Sequence, residues 1–402
     1  MRRLNNEKRN ITNNNRVHSR RLHTVVVLLL LMATTVTFSG CSEDVYQYPV
    51  VGRVIDHYFN KPNQDNTAVG LPAVTAEVDK AIEQGEDHMI VLAASVTDKD
   101  IANIAMNMSG YWGIPELYEI IDKYDDIDGI DGTVYKVRYT LKQSNNYYVY
   151  NNLVNGKDIP EGEDQAKQIA GSLQGIISAI GLSNDKTNFE NARALHDWLV
   201  NNIDYDETID AASTSNGSFG ALIGRKTMCQ GYAEAMKLLI NVATDMDCEI
   251  MIGEGDSGTG NYEPHAWNQM KIDGNWYQFD ATFDDPVKNV DGIFNHYYFG
   301  QSDAVMKLDH NWEAGYFNTC STDDFIYYRF QGLFADDYAS FKTKIQSMLA
   351  SKAPVMEVAI KGFEVTQSNM QFVFNDDPSI HSINWSSTGK SDIRVVSIAP
   401  IR

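Results

Sequence analysis

The stretch Pro264 to Pro286, PHAWNQMKIDGNWYQFDATFDDP, restricts the fold more than any other part of this 402-residue chain. Two alternating runs flank Asp273-Gly274, and Asp-Gly between such runs is a strong two-residue hairpin signal. With those two residues as the loop, Ile272 opposes Asn275, and counting back sets Trp267 opposite Asp280. His265 lies two residues before Trp267 and so shares a face with Asp280 as its diagonal neighbour. Diagonal Cα atoms are about 7–8 Å apart, within reach of an imidazole–carboxylate hydrogen bond. A slip of one residue would send the two to opposite faces, so the pairing depends on the turn.

A second stretch supplies a partner for that pair. In KTMCQGYAEAMKLL, Lys226 to Leu239, Cys229 starts a helical pattern whose stripe of Tyr232, Ala235, Met236 and Leu239, continued by Ile240, must pack on something. The hairpin sheet is the expected surface, which brings the helix start to the His265 face. A lone cysteine is more often a small buried residue than a nucleophile. Here it would meet the unpaired N–H groups and positive end of a helix, and a neighbouring imidazolium lowers a thiol's pKa further. The roles follow: Cys229 attacks an amide or acyl carbonyl, His265 carries the proton, and Asp280 holds the imidazole tautomer. Gly231, costly inside a helix, is expected where a strand or a substrate comes close. Gln230, Trp267 and Tyr205 are candidates for the substrate cleft.

Residues 1–40 read as an export signal rather than as structure. Seven basic residues between Arg2 and Arg21 precede the apolar run Thr24 to Phe38, which is too short to span a membrane comfortably. Phe38-Ser39-Gly40-Cys41 resembles a bacterial lipobox, with Phe38 where the motif normally has Leu. The resemblance implies a lipid on Cys41 as membrane anchor and a chain held in the bacterial cell envelope, outside the cytoplasm. The 362 residues left after the signal carry a formal charge of −27, which repels nucleic acid and anionic headgroups. Nucleic acid is therefore set aside as a partner. Beyond Cys41 there are three cysteines, Cys229, Cys248 and Cys320, an odd number that leaves at least one thiol free. Whether Cys248 and Cys320 pair is left open.

The expected organisation is an α+β chain with a tether over 41–70, a small α+β domain over 71–160, a central domain over 161–336 and a small α+β domain over 337–402. In the first small domain, periodicity predicts helices over Val74–Gln84, Asp98–Met108 and Ile114–Tyr124 and strands over His88–Ala93 and Thr133–Gln143. Asp122 to Gly132 is only superficially like a calcium loop, because Tyr124 and Tyr135 fall where carboxylates are needed, and it reads as a solvated acidic turn. Long helices are expected over Asp164–Leu182 and Phe189–Ile203. The C-terminal part reads helix, strand (Val355–Lys361), helix, strand, an order that echoes residues 74–143. His296, His310 and His265 match no standard metal-ligand spacing, so neither a metal nor another cofactor is expected. Asp284 and Asp285 are expected to cap the loop before Pro286.

The chain resembles the transglutaminase-like superfamily of papain-like cysteine enzymes over roughly residues 165–320. The likeness lies in Met228-Cys-Gln-Gly-Tyr-Ala233, His265-Ala-Trp-Asn268 and Trp276-Tyr-Gln-Phe-Asp280 running into Asp284-Asp-Pro286, with Tyr205-Asp206, Tyr298-Phe-Gly300 and His310 alongside. It implies a papain-like core in which a helix with an N-terminal Cys packs on an antiparallel sheet. It also places Cys229, His265 and Asp280 on the family's Cys, His and Asp, in the family's order. The expected reaction is acyl transfer from an amide through a thioester on Cys229. The preferred acceptor is water, with a peptide, protein or cell-wall peptide as substrate. The alternatives are a protein cross-linking transglutaminase and an inactive module that binds peptide or cell-wall material.

Overall fold

The computed structural model describes residues 62–102, 104, 113–208, 217–285, 296–321, 325–389 and 392–402. The export signal, Cys41, Pro286 and most of the tether lie outside the described residues. The chain divides into residues 1–65 and 66–402, and every element below belongs to the second unit.

The N-terminal sheet is built from β1 (Ala68–Val69), β2 (His88–Ala94), β3 (Gly113–Tyr124) and β4 (Val134–Gln143), in the order β1-β2-β4-β3. Helix α1 (Leu71–Gln84) joins the parallel pair β1 and β2 and buries Val74, Val78 and Ile82 against Val91, Val137 and Tyr139. The segment 114–124, expected as a helix, is instead most of the edge strand β3. Its register against β4 shifts twice, between Pro115 and Leu117 and between Ile120 and Asp122. Each bulge inserts a residue and resets the alternation, so the apolar residues fall at helix-like spacings. The expected helix from Asp98 is seen over Asp98–Ala102 (α2), and most of its remainder lies outside the described residues. The acidic turn between β3 and β4 is largely exposed.

Helix α3 (Asn145–Leu153) packs with α4 (Asp164–Ile180) and α5 (Asn188–Asn202) into the central cluster. Thr187 and Glu190 close a reciprocal capping box at the start of α5, which fixes where that helix begins. Then come the short parallel pair β5 (Asp204–Tyr205) and β6 (Lys226–Thr227) and helix α6 (Cys229–Ala243). A five-stranded antiparallel sheet follows, made of β7 (Cys248–Gly255), β8 (Glu263–Ile272), β9 (Asn275–Phe279), β10 (Phe299–Gln301) and β11 (His310–Asn311), ordered β10-β9-β8-β7-β11. The hairpin register is the expected one, from Ile272 opposite Asn275 to Asn268 opposite Phe279. Both loop residues have positive φ, 50° at Asp273 and 86° at Gly274, the twist that a two-residue hairpin requires. Helix α6 lies on β7 and β8, and its predicted stripe from Tyr232 to Ile240 is buried.

The C-terminal sheet contains β12 (Phe334–Ala335), β13 (Met356–Lys361), β14 (Ser382–Thr388) and β15 (Ile393–Ile401), ordered β12-β13-β15-β14. A helix, Tyr338–Ala350, joins the parallel strands β12 and β13. The strand β14 adds to the expected helix–strand–helix–strand order. Its connectivity is that of the N-terminal sheet: a parallel pair joined by a helix, then a hairpin whose second strand enters the middle. The two faces of this sheet do different things, as strand alternation requires. Val358, Ile360, Val396 and Ile398 face the local core, whereas Ala359, Ile393 and Val395 join the central cluster.

Candidate active site

Helix α6 begins at Cys229, with Met228 extended before it and no side chain capping that end. The Gly231 N–H turns back to the Met228 carbonyl at 3.0 Å, which leaves the Cys229 N–H at the helix end. The turn can sit this close to β6 because residue 231 is glycine: a Cβ there would stand 2.0 Å from Thr227 Oγ1 and 2.6 Å from its Cγ2. Thr227 is fully buried and cannot give way. Gly231→Ala should therefore destabilise the chain by about 1–3 kcal/mol, the usual cost of overpacking, read as a lower midpoint in urea unfolding.

Strand β8 carries His265, and Asp280 follows β9 directly. His265 Nε2 lies 2.7 Å from Asp280 Oδ2, the diagonal contact that the register predicts. Asp280 is fully buried and also starts the one-turn helix α7 (Ala281–Asp284). Its Oδ1 accepts the N–H groups of Thr282 at 3.0 Å and Phe283 at 3.1 Å. Burial opposes ionisation of Asp280, but the charges and N–H groups of His265 and His310 outweigh it and hold the carboxyl well below its usual range.

With Nε2 committed to Asp280, His265 has Nδ1 left for Cys229, whose thiol it hydrogen-bonds. Burial pushes that thiol up. The hydrogen bond and charge of His265, with the Ala266 N–H, more than offset it, so the pKa lies below the ordinary thiol value. Burial likewise disfavours the imidazolium, yet Asp280 and Cys229 raise His265 to about 10. Each group thus favours the charged form of the other. His265 is packed flat between Phe283, at 4.4 Å between ring centroids, and Trp267, at 5.7 Å, which fixes the ring plane. Gly255 makes room for this, since a Cβ there would lie 2.9 Å from Phe283 and 3.2 Å from His265. Among the three residues only Cys229 is more than marginally exposed.

Sequence reasoning missed the second imidazole on Asp280. His310 Nε2 lies 3.0 Å from the same Oδ2, and its Nδ1 lies 2.7 Å from Asp309, which in turn accepts the Tyr298 hydroxyl at 2.7 Å. Asp280 is thus held on both sides. Asp284 and Asp285 do not simply cap a loop. Asp284 accepts His196 Nε2 at 3.0 Å and the Tyr298 N–H at 3.0 Å, and Asp285 accepts the Tyr232 hydroxyl.

From His196 a largely buried chain of imidazoles and carboxylates continues, with Asp197 half-buried. His196 and Asp197 are 3.4 Å apart, Asp197 and His296 Nε2 2.7 Å, and His296 Nδ1 and Glu357 of the C-terminal sheet 2.8 Å. Among the described residues, His196, Asp197 and His296 here and His265, Asp280 and His310 at the site bring ligand-type atoms within 4.8 Å of one another, and hydrogen bonds link the members of each group.

The three cleft candidates separate. Gln230 donates to Glu234 at 2.8 Å, one turn along its own helix, a pairing that the i, i+4 spacing could have signalled. Trp267 is 1% exposed and donates its indole N–H to Gln278 at 2.7 Å, so it supports His265 from below and lines no cleft. Tyr205 is half-buried beside the start of α6, opposite Thr227 in the β5–β6 pair. Cys248 and Cys320 are both buried and free.

Residues 178–281 match the family model of the transglutaminase-like superfamily. No curated protein matches the chain significantly. Among solved structures, it is similar at 15% identity and a TM-score of 0.26 to a TGase, covering 57% of this chain and 56% of that one. The chain thus spans little more than half the length of that structure. It is similar at 16% identity and a TM-score of 0.24 to a provisionally assigned cysteine protease from Cytophaga hutchinsonii, covering 42% of this chain and 67% of the other. At 9% identity and a TM-score of 0.22 it is also similar to a provisionally assigned protease from Parabacteroides distasonis, covering 78% and 66%. The segment that is similar to the transglutaminase-like superfamily, residues 178–281, thus spans Cys229, His265 and Asp280.

Proposed function

We propose that the protein is a cysteine enzyme that cleaves amide bonds of a peptide or protein through a thioester on Cys229. The observation that carries this reading is the 2.7 Å contact of Asp280 with His265 Nε2, which leaves Nδ1 of the same ring for the Cys229 thiol. Sγ attacks the carbonyl carbon, His265 gives its Nδ1 proton to the departing amine, and the same imidazole then takes a proton from water as the thioester hydrolyses. Asp280 keeps the ring oriented and stabilises its charge. We further propose that the chain works in the bacterial cell envelope, anchored by a lipid on Cys41, where cell-wall peptide is a substrate within reach.

The test is acylation of the full chain in detergent by p-nitrophenyl acetate, with the acetyl group located by peptide mass spectrometry. Acetyl on Cys229 is expected, and labelling that bypasses Cys229 would refute the assignment. The pH profile carries a sign. Acylation should persist below the usual thiol range, because the thiolate is already formed there, and fall only as Cys229 protonates at lower pH. Turnover of an amide should fall again as pH rises through about 10, when His265 loses the proton that the leaving amine needs.

A further inference from the structure

Attack on a carbonyl puts negative charge on its oxygen, and an enzyme of this kind needs donors waiting for it. The N–H of Cys229, at the uncapped end of α6, is one. Most polar side chains around it are committed elsewhere. Gln230 serves Glu234, Trp267 serves Gln278, and Asn268 donates to the Ala233 carbonyl at 3.0 Å. Two neighbouring phenols are spent too, Tyr232 on Ile203 and Asp285 and Tyr298 on Asp309.

Tyr205 is different. Residues directly opposite in a strand pair project to the same side, and Tyr205 opposes Thr227. Thr227 projects onto Gly231, in the first turn of α6. The phenol ring is therefore carried on the side of β5 and β6 that faces the first turn of α6, the turn that Cys229 opens. Its hydroxyl has no protein partner among the described residues, and the ring is half-buried, a setting in which a donor is shielded but reachable. Burial first, then the Cys229 charge, push this phenol up to about 12, so it keeps its proton at neutral pH.

We propose that the Tyr205 hydroxyl is the side-chain donor to the oxyanion, acting with the Cys229 N–H; this rests on the reading of Cys229 as the nucleophile. As the Sγ–C bond forms, the carbonyl π electrons move to oxygen, which accepts both hydrogen bonds without taking either proton. The C=O bond re-forms as the leaving group departs, and Tyr205 ends as it began.

Two reactions of the same thiol separate this role from a structural one. Acylation by p-nitrophenyl acetate passes through an oxyanion, whereas alkylation by iodoacetamide displaces iodide from a saturated carbon and forms none. In the full chain, Tyr205→Phe should slow acylation of Cys229 by about 10²–10³-fold, the usual effect of losing one such donor. The rate and pH profile of alkylation should stay as in the parent chain. Unchanged acylation would overturn the proposal, as would a parallel loss of both reactions, which would show that Tyr205 only supports Cys229. If the parent chain acylates elsewhere than Cys229, the nucleophile assignment fails first and takes this role with it.

Discussion

Replacing His265 with Ala is expected to slow acylation of Cys229 by about 10²–10⁴-fold, the range that a positioned proton carrier supplies. The same change should move the alkylation profile of Cys229 up in pH. The reason lies in the balance of opposing effects on the thiol: burial disfavours the thiolate, and His265 is the main group that reverses it. Without the imidazole, burial and the nearby Asp280 charge both act against ionisation. Asp280→Asn should move the profile in the same direction by a different route. Two imidazole N–H groups converge on one oxygen, and a carboxamide rotated to present its NH2 would repel both. Rapid alkylation in His265→Ala, unchanged across pH, would mean that Cys229 owes its reactivity to the helix end alone.

Removing Glu357 should cost about 3–5 kcal/mol of folding stability, the usual result of taking one partner from a buried ion pair. Its carboxylate receives both the ring and the backbone N–H of His296 at 2.8 Å, and the Tyr328 hydroxyl as well. Burial alone would lower the pKa of His296, but Glu357 and Asp197 raise it to about 10. A raised histidine stabilises fully below its unfolded value of about 6.5 and loses that contribution as pH climbs through about 10. Glu357 is held below its usual range, since His296 and the other donors outweigh burial, so its share is lost as pH falls through that lowered value. The gap in thermal midpoint between the parent chain and Glu357→Ala should therefore be widest in the mildly acidic range, between the unfolded values of about 4.3 and about 6.5, and close towards both extremes. A gap of constant size would mean that packing rather than charge holds this junction.

Most of the site was legible because it is local. Asp273-Gly274 fixes a register, and the register alone delivers His265 to Asp280. Cys229 came from one amphipathic stripe that needed a sheet to lie on. What stayed hidden joins distant parts of the chain. His310 reaches Asp280 across 30 residues and Glu357 reaches His296 across 61, with no periodicity linking them. Trp267 was misjudged because sharing a face with His265 does not tell which of the two the neighbouring strands cover. The segment 114–124 was misread because a bulged strand loses the period of two by which strands are recognised.

That irregular strand matters beyond recognition. An edge of twelve residues with an unbroken row of outward N–H and C=O groups would be a template on which a second molecule could add its own strand. Two interruptions divide the row into short pieces, and Glu116, Glu119 and Lys123 set charges along it. With Leu117 and Tyr118 among its most exposed residues, the strand would otherwise be well suited to self-association. The bulges that disguise β3 in the sequence thus also make its edge a poor template for a further strand.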